Sequence, residues 1–389
     1  MEITDEEENF PENLNSGRRN KMRRKSAVSL LALFLLVTLM LNGCSNHNRT
    51  ESAATSQMTV EDLLGRQVEL TAPVEKVVAI GPGALRLYCY INGDSKLVGI
   101  EQMEKDSPTG RAYYLAYPSL AELPVIGPGG PNNAPDPEKL LAVKPDVIFD
   151  TYTTDQAAVD ALQAKTGIPV VAVSYGKASA FDQDVSKSLQ LIGRICGQEQ
   201  KARDLTAYIE KCRGDLDERT KNIPDSERPT AYVGGLGARG THGIESTQGK
   251  YSLFEAVHAK NVADEAGKSG SFMVDKEKLI AWNPDKIFLD LAGFAMVQED
   301  YRKNPQFYQS LAAVKNGEVY SQMPYNYYTT NIETAIADAY YIGKVLYPEQ
   351  FKDIEPEKKA DELYQTFVGE KLYARMAEDF GGFKKLTLQ

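Results

Sequence analysis

One stretch of this 389-residue chain occurs twice: residues 136–149 read DPEKLLAVKPDVIF, and residues 275–288 read DKEKLIAWNPDKIF. Nine of the fourteen positions are identical, and a tenth exchanges Leu for Ile. Each copy has an Asp suited to cap a helix, a short helical run, a Pro-containing turn and an apolar run typical of a buried strand. The duplication predicts two lobes of like fold, and a single pair of copies excludes a solenoid.

The rest of the chain extends the same alternation of strand and helix. Short apolar runs are separated by helical patterns, as in a sheet whose strands are buried on both faces. The predicted strands cover residues 76–81, 96–100, 146–150, 169–174, 230–233, 286–289 and 319–322. We predict an α/β fold of two Rossmann-like lobes, each with a mostly parallel sheet.

A long helical region lies between the two lobes. Apolar residues follow a helical spacing over residues 181–196, Gly197 interrupts it, and a second helix of 25 residues is predicted over 198–222, before Pro224. Such a helix spans about 37 Å at about 1.5 Å per residue. It predicts a single rigid connection between the lobes. An ordinary surface helix within one large domain is the alternative.

The cysteines do not suggest a disulfide framework. Cys196 and Cys212 flank the predicted helix break, and in a straight helix their separation would far exceed the ~7 Å between Cα atoms that a disulfide tolerates. We expect both residues, together with Cys89, to be buried thiols.

The beginning of the chain has the composition of a secretory signal. Basic residues cluster at 18–25, residues 27–41 are almost wholly apolar, and Leu41-Asn-Gly-Cys44 follows. The alternative, a transmembrane helix, needs ~20 apolar residues, and this run is shorter. The ending resembles a bacterial lipobox, which implies that Cys44 is lipidated and becomes the mature N-terminus.

These features divide the chain into five predicted segments. They are a signal segment (1–43), a tether (44–57), a first α/β lobe (58–197), an inter-lobe helix (198–223) and a second α/β lobe with C-terminal helices (224–389). The tether is rich in Ser, Asn and Thr, a composition that stays flexible.

Composition and charge narrow the functional classes. The formal net charge is −10, which argues against a nucleic-acid partner because phosphates call for clustered Lys and Arg. The three His leave little material for a metal site built from several imidazoles. No resident cofactor is predicted.

The repeat places Glu138 and Glu277 at matching positions near the start of a helix. Carboxylates in a first helical turn gain about 0.3–1 kcal/mol from the helix dipole, which is one explanation. The other is that the two carboxylates form a matched docking pair, one on each lobe, for a basic partner.

Several short blocks occur in the order and spacing of a known family. They are DLLGRQV (62–68), VVAI (77–80), EKLLAVKPD (138–146), GIPVV (167–171), NVA (261–263) and AVKNGEVY (313–320). Over roughly residues 60 to 350 the chain resembles the bacterial solute-binding lipoproteins of ABC importers for iron siderophores, haem and cobalamin. The resemblance implies two α/β lobes joined by one long helix, with the ligand in the cleft between them.

The same resemblance implies a function. It is that of a monomeric receptor, anchored by lipid to the extracytoplasmic face of the cell membrane, which captures a ferric siderophore-type chelate and delivers it to an ABC permease and its ATPase. Haem or cobalamin is the alternative cargo. By match to the family motif, Glu138 and Glu277 would meet arginines of the permease.

Loops at the carboxyl ends of the strands should supply the ligand-binding side chains, as is usual in open α/β sheets. The chain has 21 Tyr, whose apolar face and polar tip suit a bulky chelate. Arg supplies a fixed fork for anionic groups. The candidates are Arg86, Arg111, Tyr113, Tyr152, Tyr175, Arg239, His242, Tyr325, Tyr327 and Tyr328. Ordinary half-buried packing is the alternative for each.

Other ligand classes stay open. A bare divalent ion needs three or four converging donors, whereas the body of the chain offers only His242 and His258, the latter in a stretch that looks helical (254–262). A ferric ion held by tyrosinates, or a molybdate-type oxyanion held by backbone N–H groups, is a further alternative.

Enzyme motifs occur without their structural context. GLGARG at 235–240 matches G-x-G-x-x-G, but no clear helix start follows it. Gly267-Lys-Ser269 has Val262 where a phosphate-binding loop needs its first Gly. We predict that the protein is not an enzyme. A secreted α/β enzyme is the rival class, with His242 as its only candidate catalytic group.

Overall fold

The computed structural model describes residues 55–106, 108–130, 133–152, 155–177, 179–237 and 240–389. The predicted signal segment, Cys44 and most of the predicted tether lie outside these residues, and so does Arg239. From Thr55 onward the chain forms one compact unit. We call residues 55–197 its first half and residues 224–389 its second half.

The first half is built around a parallel sheet in the order β3-β6-β7, with a short parallel pair β4-β5 and an antiparallel hairpin β1-β2 beside it. Its strands are β1 (Ser56–Glu61), β2 (Gln67–Ala72), β3 (Val77–Ile80), β4 (Ile100–Glu101), β5 (Val125–Gly127), β6 (Val147–Asp150) and β7 (Val170–Ala172). Its helices are α1 (Ala84–Asn92), α2 (Gln102–Asp106), α3 (Ala112–Ala116), α4 (Pro137–Val143), α5 (Gln156–Thr166) and α6 (Gln183–Cys196).

The second half holds a four-stranded parallel sheet in the order β10-β8-β12-β13, and an antiparallel pair β9-β11. Its strands are β8 (Thr230–Gly234), β9 (Ser246–Gly249), β10 (Lys260–Asn261), β11 (Gly270–Met273), β12 (Lys286–Asp290) and β13 (Val319–Gln322). Its helices are α8 (Ser252–Glu255), α9 (Lys276–Trp282), α10 (Phe294–Lys303), α11 (Pro305–Ser310), α12 (Ala312–Lys315), α13 (Ile332–Leu346), α14 (Pro356–Val368) and α15 (Tyr373–Phe380).

The long helix predicted between the halves is α7 (Glu199–Thr220), whose 22 residues span about 33 Å. It packs against α6 of the first half and α13 of the second half. Its buried positions follow a helical spacing at 202, 205, 209, 212 and 216. Gly193 lets α6 approach α7 closely, because a Cβ at this position would lie 2.5 Å from the Cβ of Ala202. Cys89, Cys196 and Cys212 are free and buried, as predicted.

The two copies of the repeated segment fold alike, but the predicted Asp cap forms in only one of them: Asp136 accepts the backbone N–H of Lys139, whereas the Asp275 side chain makes no such bond within the described residues. Helices α4 and α9 each have seven residues, each follows an Asp, and each ends at a residue in the left-handed region, Lys144 (φ 49°) or Asn283 (φ 43°). Leu140 and Leu279 face the core. The prediction of a duplicated structural unit is confirmed at this level.

The Pro-Asp pair in each copy ties neighbouring strands together where they begin. Asp146 Oδ2 accepts the backbone N–H groups of Glu75 and Lys76, both at 2.8 Å, just before β3. Asp285 Oδ2 accepts the backbone N–H of Thr230 at 2.8 Å, at the first residue of β8. The carboxylate thus satisfies N–H groups that the parallel ladder leaves unpaired.

Two local predictions differ from the structure. The strand expected at 96–100 is only a bridge between Leu97 and Val77, followed by β4, which pairs with β5. The prediction of a helix around His258 was wrong, because α8 ends at Glu255 and His258 has a left-handed backbone with φ 51°. The His258 Nδ1 forms a 2.9 Å hydrogen bond with Thr220 Oγ1 at the end of α7, so this side chain serves packing between elements.

The last helices reach beyond the half in which they occur. Helix α14 packs against α13, and also against α1 and α3 of the first half. Tyr117 donates a hydrogen bond of 3.0 Å to the carbonyl of Val368, and the rings of Tyr90 and Phe367 meet edge to face at 4.9 Å. Within the residues described here, no helix is both long and apolar enough to cross a membrane.

The Pro-Asp contacts yield a prediction about stability. We expect Asp146→Ala and Asp285→Ala each to lower the free energy of unfolding by about 1–2 kcal/mol, because a backbone N–H loses a charged acceptor. Asp146→Asn and Asp285→Asn retain an acceptor and should cost less. Urea denaturation of the four variants measures this, and no loss in the Ala variants would contradict the role given to the two carboxylates.

Candidate ligand-binding site

The carboxyl ends of the strands bring most of the predicted ligand residues into one cluster. Tyr152 follows β6, Tyr175 follows β7, and the loop that follows β13 carries Tyr327 and Tyr328. Helix α1 supplies Arg86. Arg111 and Tyr113 lie at the start of α3 and complete the cluster. The side chains belong to both halves of the chain, and their role in ligand binding stays a prediction.

Arg86 joins the two halves from a position with no solvent exposure. Its Nε donates to Asn331 Oδ1 at 2.9 Å, and its Nη2 donates to the carbonyl of Tyr327 at 2.5 Å. Its Nη1 lies 3.2 Å from the carbonyls of Tyr328 and Thr330. The guanidinium therefore holds the backbone of the loop at residues 325–331, which we call the tyrosine loop, rather than pointing into open space.

The tyrosine loop has a strained backbone that these contacts maintain. Tyr328 (φ 54°) and Thr329 (φ 67°) both adopt the left-handed region, which is unfavourable for a β-branched residue such as Thr. The loop packs against Gly83, where a Cβ would lie 2.7 Å from the ring of Tyr175 and closer still to the Thr329 methyl. At Gly110 a Cβ would lie 2.5 Å from the Tyr327 ring. The two glycines thus allow the loop to lie directly on the first half.

Glu101, a buried acid that sequence reasoning missed, is the polar centre of the cluster and binds two of its half-buried tyrosines. Its Oε1 accepts a 2.6 Å hydrogen bond from the Tyr152 hydroxyl. Its Oε2 accepts from the Tyr328 hydroxyl at 3.0 Å and from the backbone N–H of Gly81 at 3.1 Å. Tyr328 also accepts the backbone N–H of Gly130 at 2.8 Å. Glu101 therefore ties the tyrosine loop of the second half to two strand ends of the first.

A second buried acid, Glu104, organises the other arginine. The Arg111 guanidinium forms an ion pair with Glu104, and the Tyr113 hydroxyl donates to the same carboxylate at 2.5 Å. Arg111 also lies over the Tyr328 ring, 5.5 Å from its centroid. Arg111 Nε and Glu104 Oε1 are buried and have no hydrogen-bond partner among the described residues. One guanidinium N–H on this side of the loop is thus left unpaired.

Burial perturbs the acids of the site. Burial raises the pKa of Glu101 to about 7, although hydrogen bonds from Tyr152, Gly81 and Tyr328 act to lower it. Burial likewise raises the pKa of Asp150, at the end of β6, to about 6, and that of Asp290, at the end of β12, to about 7. Each Asp accepts the backbone N–H two residues later, from Tyr152 or Ala292. In the sequence, such buried acids could have been found as an acidic residue at the end of an apolar strand.

The remaining candidates lie at the edge of the cluster or outside it. Tyr325 is buried in the second half, and its carbonyl accepts the backbone N–H of Asn331 at 2.7 Å, so it helps to close the tyrosine loop. His242 is half-buried, and its carbonyl lies beside Gly293. Arg239 lies outside the described residues. Among the described residues, no group of three or more His, Cys, Asp or Glu is arranged to hold a metal ion.

Exposure divides the cluster into two layers. Arg86, Arg111 and Tyr113 are buried, whereas Tyr152 and the Tyr327–Thr329 stretch are half-buried. A ligand that reaches this conformation would meet aromatic faces and hydroxyl groups first. The two arginines beneath serve internal contacts in this conformation, Arg86 with the tyrosine loop and Arg111 with Glu104. The ligand roles of all ten candidates stay predictions.

The raised pKa of Glu101 yields a prediction about pH. Its contribution to stability is present below the ordinary pKa near 4.5 and is lost as pH rises to about 7. Glu101→Gln keeps the neutral form at every pH. We expect the fall in unfolding free energy between pH 5 and pH 8 to be smaller in this variant by about 2 kcal/mol.

Urea denaturation at the two pH values measures the effect. Glu122→Gln, at an exposed position of the same half, is the matched control and should leave the pH dependence of the wild type unchanged. Equal pH dependence in Glu101→Gln and the wild type would contradict the assignment of a raised pKa to this carboxyl group.

Comparison with known proteins identifies the family. The chain matches the family model for periplasmic binding proteins over residues 73–325. YvrC of Bacillus subtilis, an uncharacterised ABC transporter substrate-binding lipoprotein, is 22% identical over 85% of this chain and 100% of its own length. The iron-uptake system-binding protein of Bacillus subtilis is 24% identical over 75% of this chain and 90% of its own length.

The molybdate-binding protein MolA of Haemophilus influenzae is similar in both sequence and structure. It is 25% identical over 86% of this chain and 95% of its own length. Its solved structure with molybdate aligns with a TM-score of 0.64 and 23% identity, covering 81% of this chain and 98% of the MolA chain. The likeness of the structures shows a shared two-lobe α/β fold. With the family model matched over more than half of its length, this chain belongs to the periplasmic binding protein family and is a substrate-binding protein of an ABC transporter.

Proposed function

We propose that this protein captures a metal chelate, of the ferric siderophore type, at the cluster around the tyrosine loop and delivers it to an ABC permease and its ATPase. The observation that carries the proposal is the set of half-buried tyrosines above two buried arginines, contributed by both halves. Aromatic faces suit the bulky organic part of a chelate, and hydroxyl and guanidinium donors suit its oxygen-rich groups.

The similarity to a protein named for iron uptake supports this cargo. Haem and cobalamin are also large, partly polar chelates and fit the same tyrosine-lined surface. We propose the siderophore as the first of these, because a siderophore complex combines compact size with oxygen-rich, anionic groups that hydroxyl and guanidinium groups recognise.

Molybdate is the second candidate ligand. The observation that favours it is the similarity to MolA over most of both chains. A small tetrahedral oxyanion needs several free N–H donors, however, and the backbone N–H groups of Gly81 and Gly130 already bind Glu101 and the Tyr328 hydroxyl. The aromatic lining therefore favours a larger ligand in the described conformation.

We propose further that Cys44 carries a lipid anchor and that the protein acts on the extracytoplasmic face of the membrane as a monomer without catalytic activity. The similarity to a lipoprotein of an ABC transporter supports this placement. Transport requires that the receptor touch its permease. We propose Glu138 and Glu277 as the docking carboxylates, since both are exposed at equivalent places of the duplicated segment.

Ligand identity can be tested with residues 45–389 and tyrosine and tryptophan fluorescence. The panel contains ferric hydroxamate and ferric catecholate siderophores, haemin, cobalamin and molybdate. We expect saturable, submicromolar quenching by one ferric siderophore, and affinity about five-fold weaker in Tyr152→Phe and Tyr328→Phe, because each loses about 1 kcal/mol of the hydrogen bonding to Glu101 that positions the two rings for the ligand.

Tyr301→Phe is the matched control, since this half-buried tyrosine lies on α10. It should bind as the wild type does. Quenching by molybdate alone would transfer the proposal to an oxyanion, and silence across the panel would contradict chelate binding.

The docking role predicts a separation of affinity from transport. We expect the double variant Glu138→Ala/Glu277→Ala to bind the ferric siderophore with unchanged affinity and to lower its cellular uptake at least about ten-fold, because an ion pair with the permease is lost on each half. The double variant Glu349→Ala/Glu370→Ala removes two exposed carboxylates elsewhere and should transport normally. Loss of ligand affinity in the first variant would contradict the docking role.

A further inference from the structure

Two exposed apolar side chains occupy the same place in the two copies of the repeat. Leu141 on α4 is 45% exposed, and Ile280 on α9 is 42% exposed. They are 139 residues apart, as are Glu138 and Glu277. Only four large apolar side chains among the described residues are exposed to this degree: Leu141, Met273, Ile280 and Met296. Two of the four are therefore a matched pair from the duplication.

Helix geometry places each apolar side chain beside the glutamate of its copy. Residues three apart on a helix are neighbours on its surface, so Leu141 lies next to Glu138 and Ile280 next to Glu277. Leu140 and Leu279 take the inward-facing positions. Each helix thus presents one carboxylate and one aliphatic group to solvent, side by side.

Both copies of the repeat have an aliphatic residue at this exposed position, although packing within the chain does not require one there. The two copies differ at other positions of the same segment, where Val143 corresponds to Trp282 and Lys144 to Asn283. A single exposed Leu is ordinary on a protein surface. Recurrence of an exposed aliphatic side chain at equivalent places of two diverged copies indicates a common use.

The charges around the pair complement a basic partner. Neither Glu138 nor Glu277 forms an ion pair within the described part of the chain. The neighbouring cations are engaged internally: Lys139 lies 3.6 Å from Asp136, and Lys278 lies over the Trp282 ring, 5.5 Å from its centroid. The carboxylates are therefore the available charges of these two surfaces.

We propose that Leu141 and Ile280 are apolar anchors of the docking surface, each entering an apolar pocket of the permease next to the basic group that pairs with Glu138 or Glu277. This inference rests on the proposed docking role of the two glutamates. Exposed ion pairs contribute orientation and association rate more than affinity. A desolvated aliphatic anchor beside each pair supplies what the charges lack, because interface cores are depleted of charge and polar groups form their rim.

The partner can be identified in cells by photo-cross-linking from the full chain. The photoreactive residue p-benzoylphenylalanine replaces Leu141, Ile280 or, as control, the exposed Lys211 on α7. We expect the first two positions, and not the third, to cross-link to one polytopic ABC permease identified by mass spectrometry. Capture of a protein of another class at 141 and 280 would overturn the proposal.

Affinity for that permease–ATPase complex, reconstituted in nanodiscs, then tests the anchors themselves. We expect Leu141→Ser/Ile280→Ser to bind at least about ten-fold more weakly, from the loss of two buried aliphatic groups. Leu141→Ile/Ile280→Leu keeps the apolar groups and should bind as the wild type does. Lys211→Ser controls for truncation of an exposed side chain and should also leave binding unchanged.

The outcomes separate the two proposals. If Glu138→Ala/Glu277→Ala weakens binding while Leu141→Ser/Ile280→Ser does not, the anchors are refuted and the docking glutamates stand. If neither pair of substitutions weakens binding, both proposals are contradicted: the docking role of the two glutamates and the anchor role of Leu141 and Ile280. Urea denaturation of the Ser variant, expected to match the wild type because both positions are exposed, confirms that weaker binding does not reflect unfolding.

Discussion

The buried Arg86 guanidinium is the interaction on which the region between the two halves depends. A charged group with no exposure is tolerated only when oxygen acceptors surround it. Here the acceptors are the Asn331 side chain and three carbonyls of the tyrosine loop, so these hydrogen bonds offset the cost of burying Arg86 and fix that loop. The same contacts maintain the left-handed backbone at Tyr328 and Thr329. The positions of Tyr327 and Tyr328 therefore depend on one charge on the first helix of the fold.

The duplicated segment explains why two such halves exist and why their outer surfaces match. In both copies the Pro-Asp pair ties neighbouring strands where they begin and the Leu fills the core, and in the first copy Asp136 also caps the helix. These constraints leave the outward positions free for another use. The proposed ligand site is therefore formed by the strand ends of the two halves, whereas the proposed docking surface is formed by the exposed faces of helices α4 and α9.

Features that depend on residues close together in the sequence could be predicted, whereas contacts between residues far apart in the sequence could not. The repeat, helix α7 and the predicted strands depend on local periodicity, and the structure confirms them within a few residues, except for the strand expected at 96–100. The clustering of Arg86, Tyr152 and Tyr328 followed from their places at strand ends. Glu101 directly follows the predicted strand 96–100, but its contacts could not be predicted, because its hydrogen-bond partner Tyr328 is 227 residues away in the chain. The helix predicted around His258 was wrong because the apolar stretch after α8 is typical of a helix, whereas the contact of His258 with Thr220 is tertiary and cannot be predicted from that stretch.

The central claim is that the ligand lies against the tyrosine loop, between the two halves. The most direct measurement is a crystal structure of the protein with the ferric chelate that saturates its fluorescence quenching, using the anomalous signal of iron to locate the metal. The account predicts one iron peak at the carboxyl ends of β6 and β13, with the chelate in contact with Tyr152, Tyr327 or Tyr328. An iron peak elsewhere on the protein, with the tyrosine loop free of ligand, would contradict it.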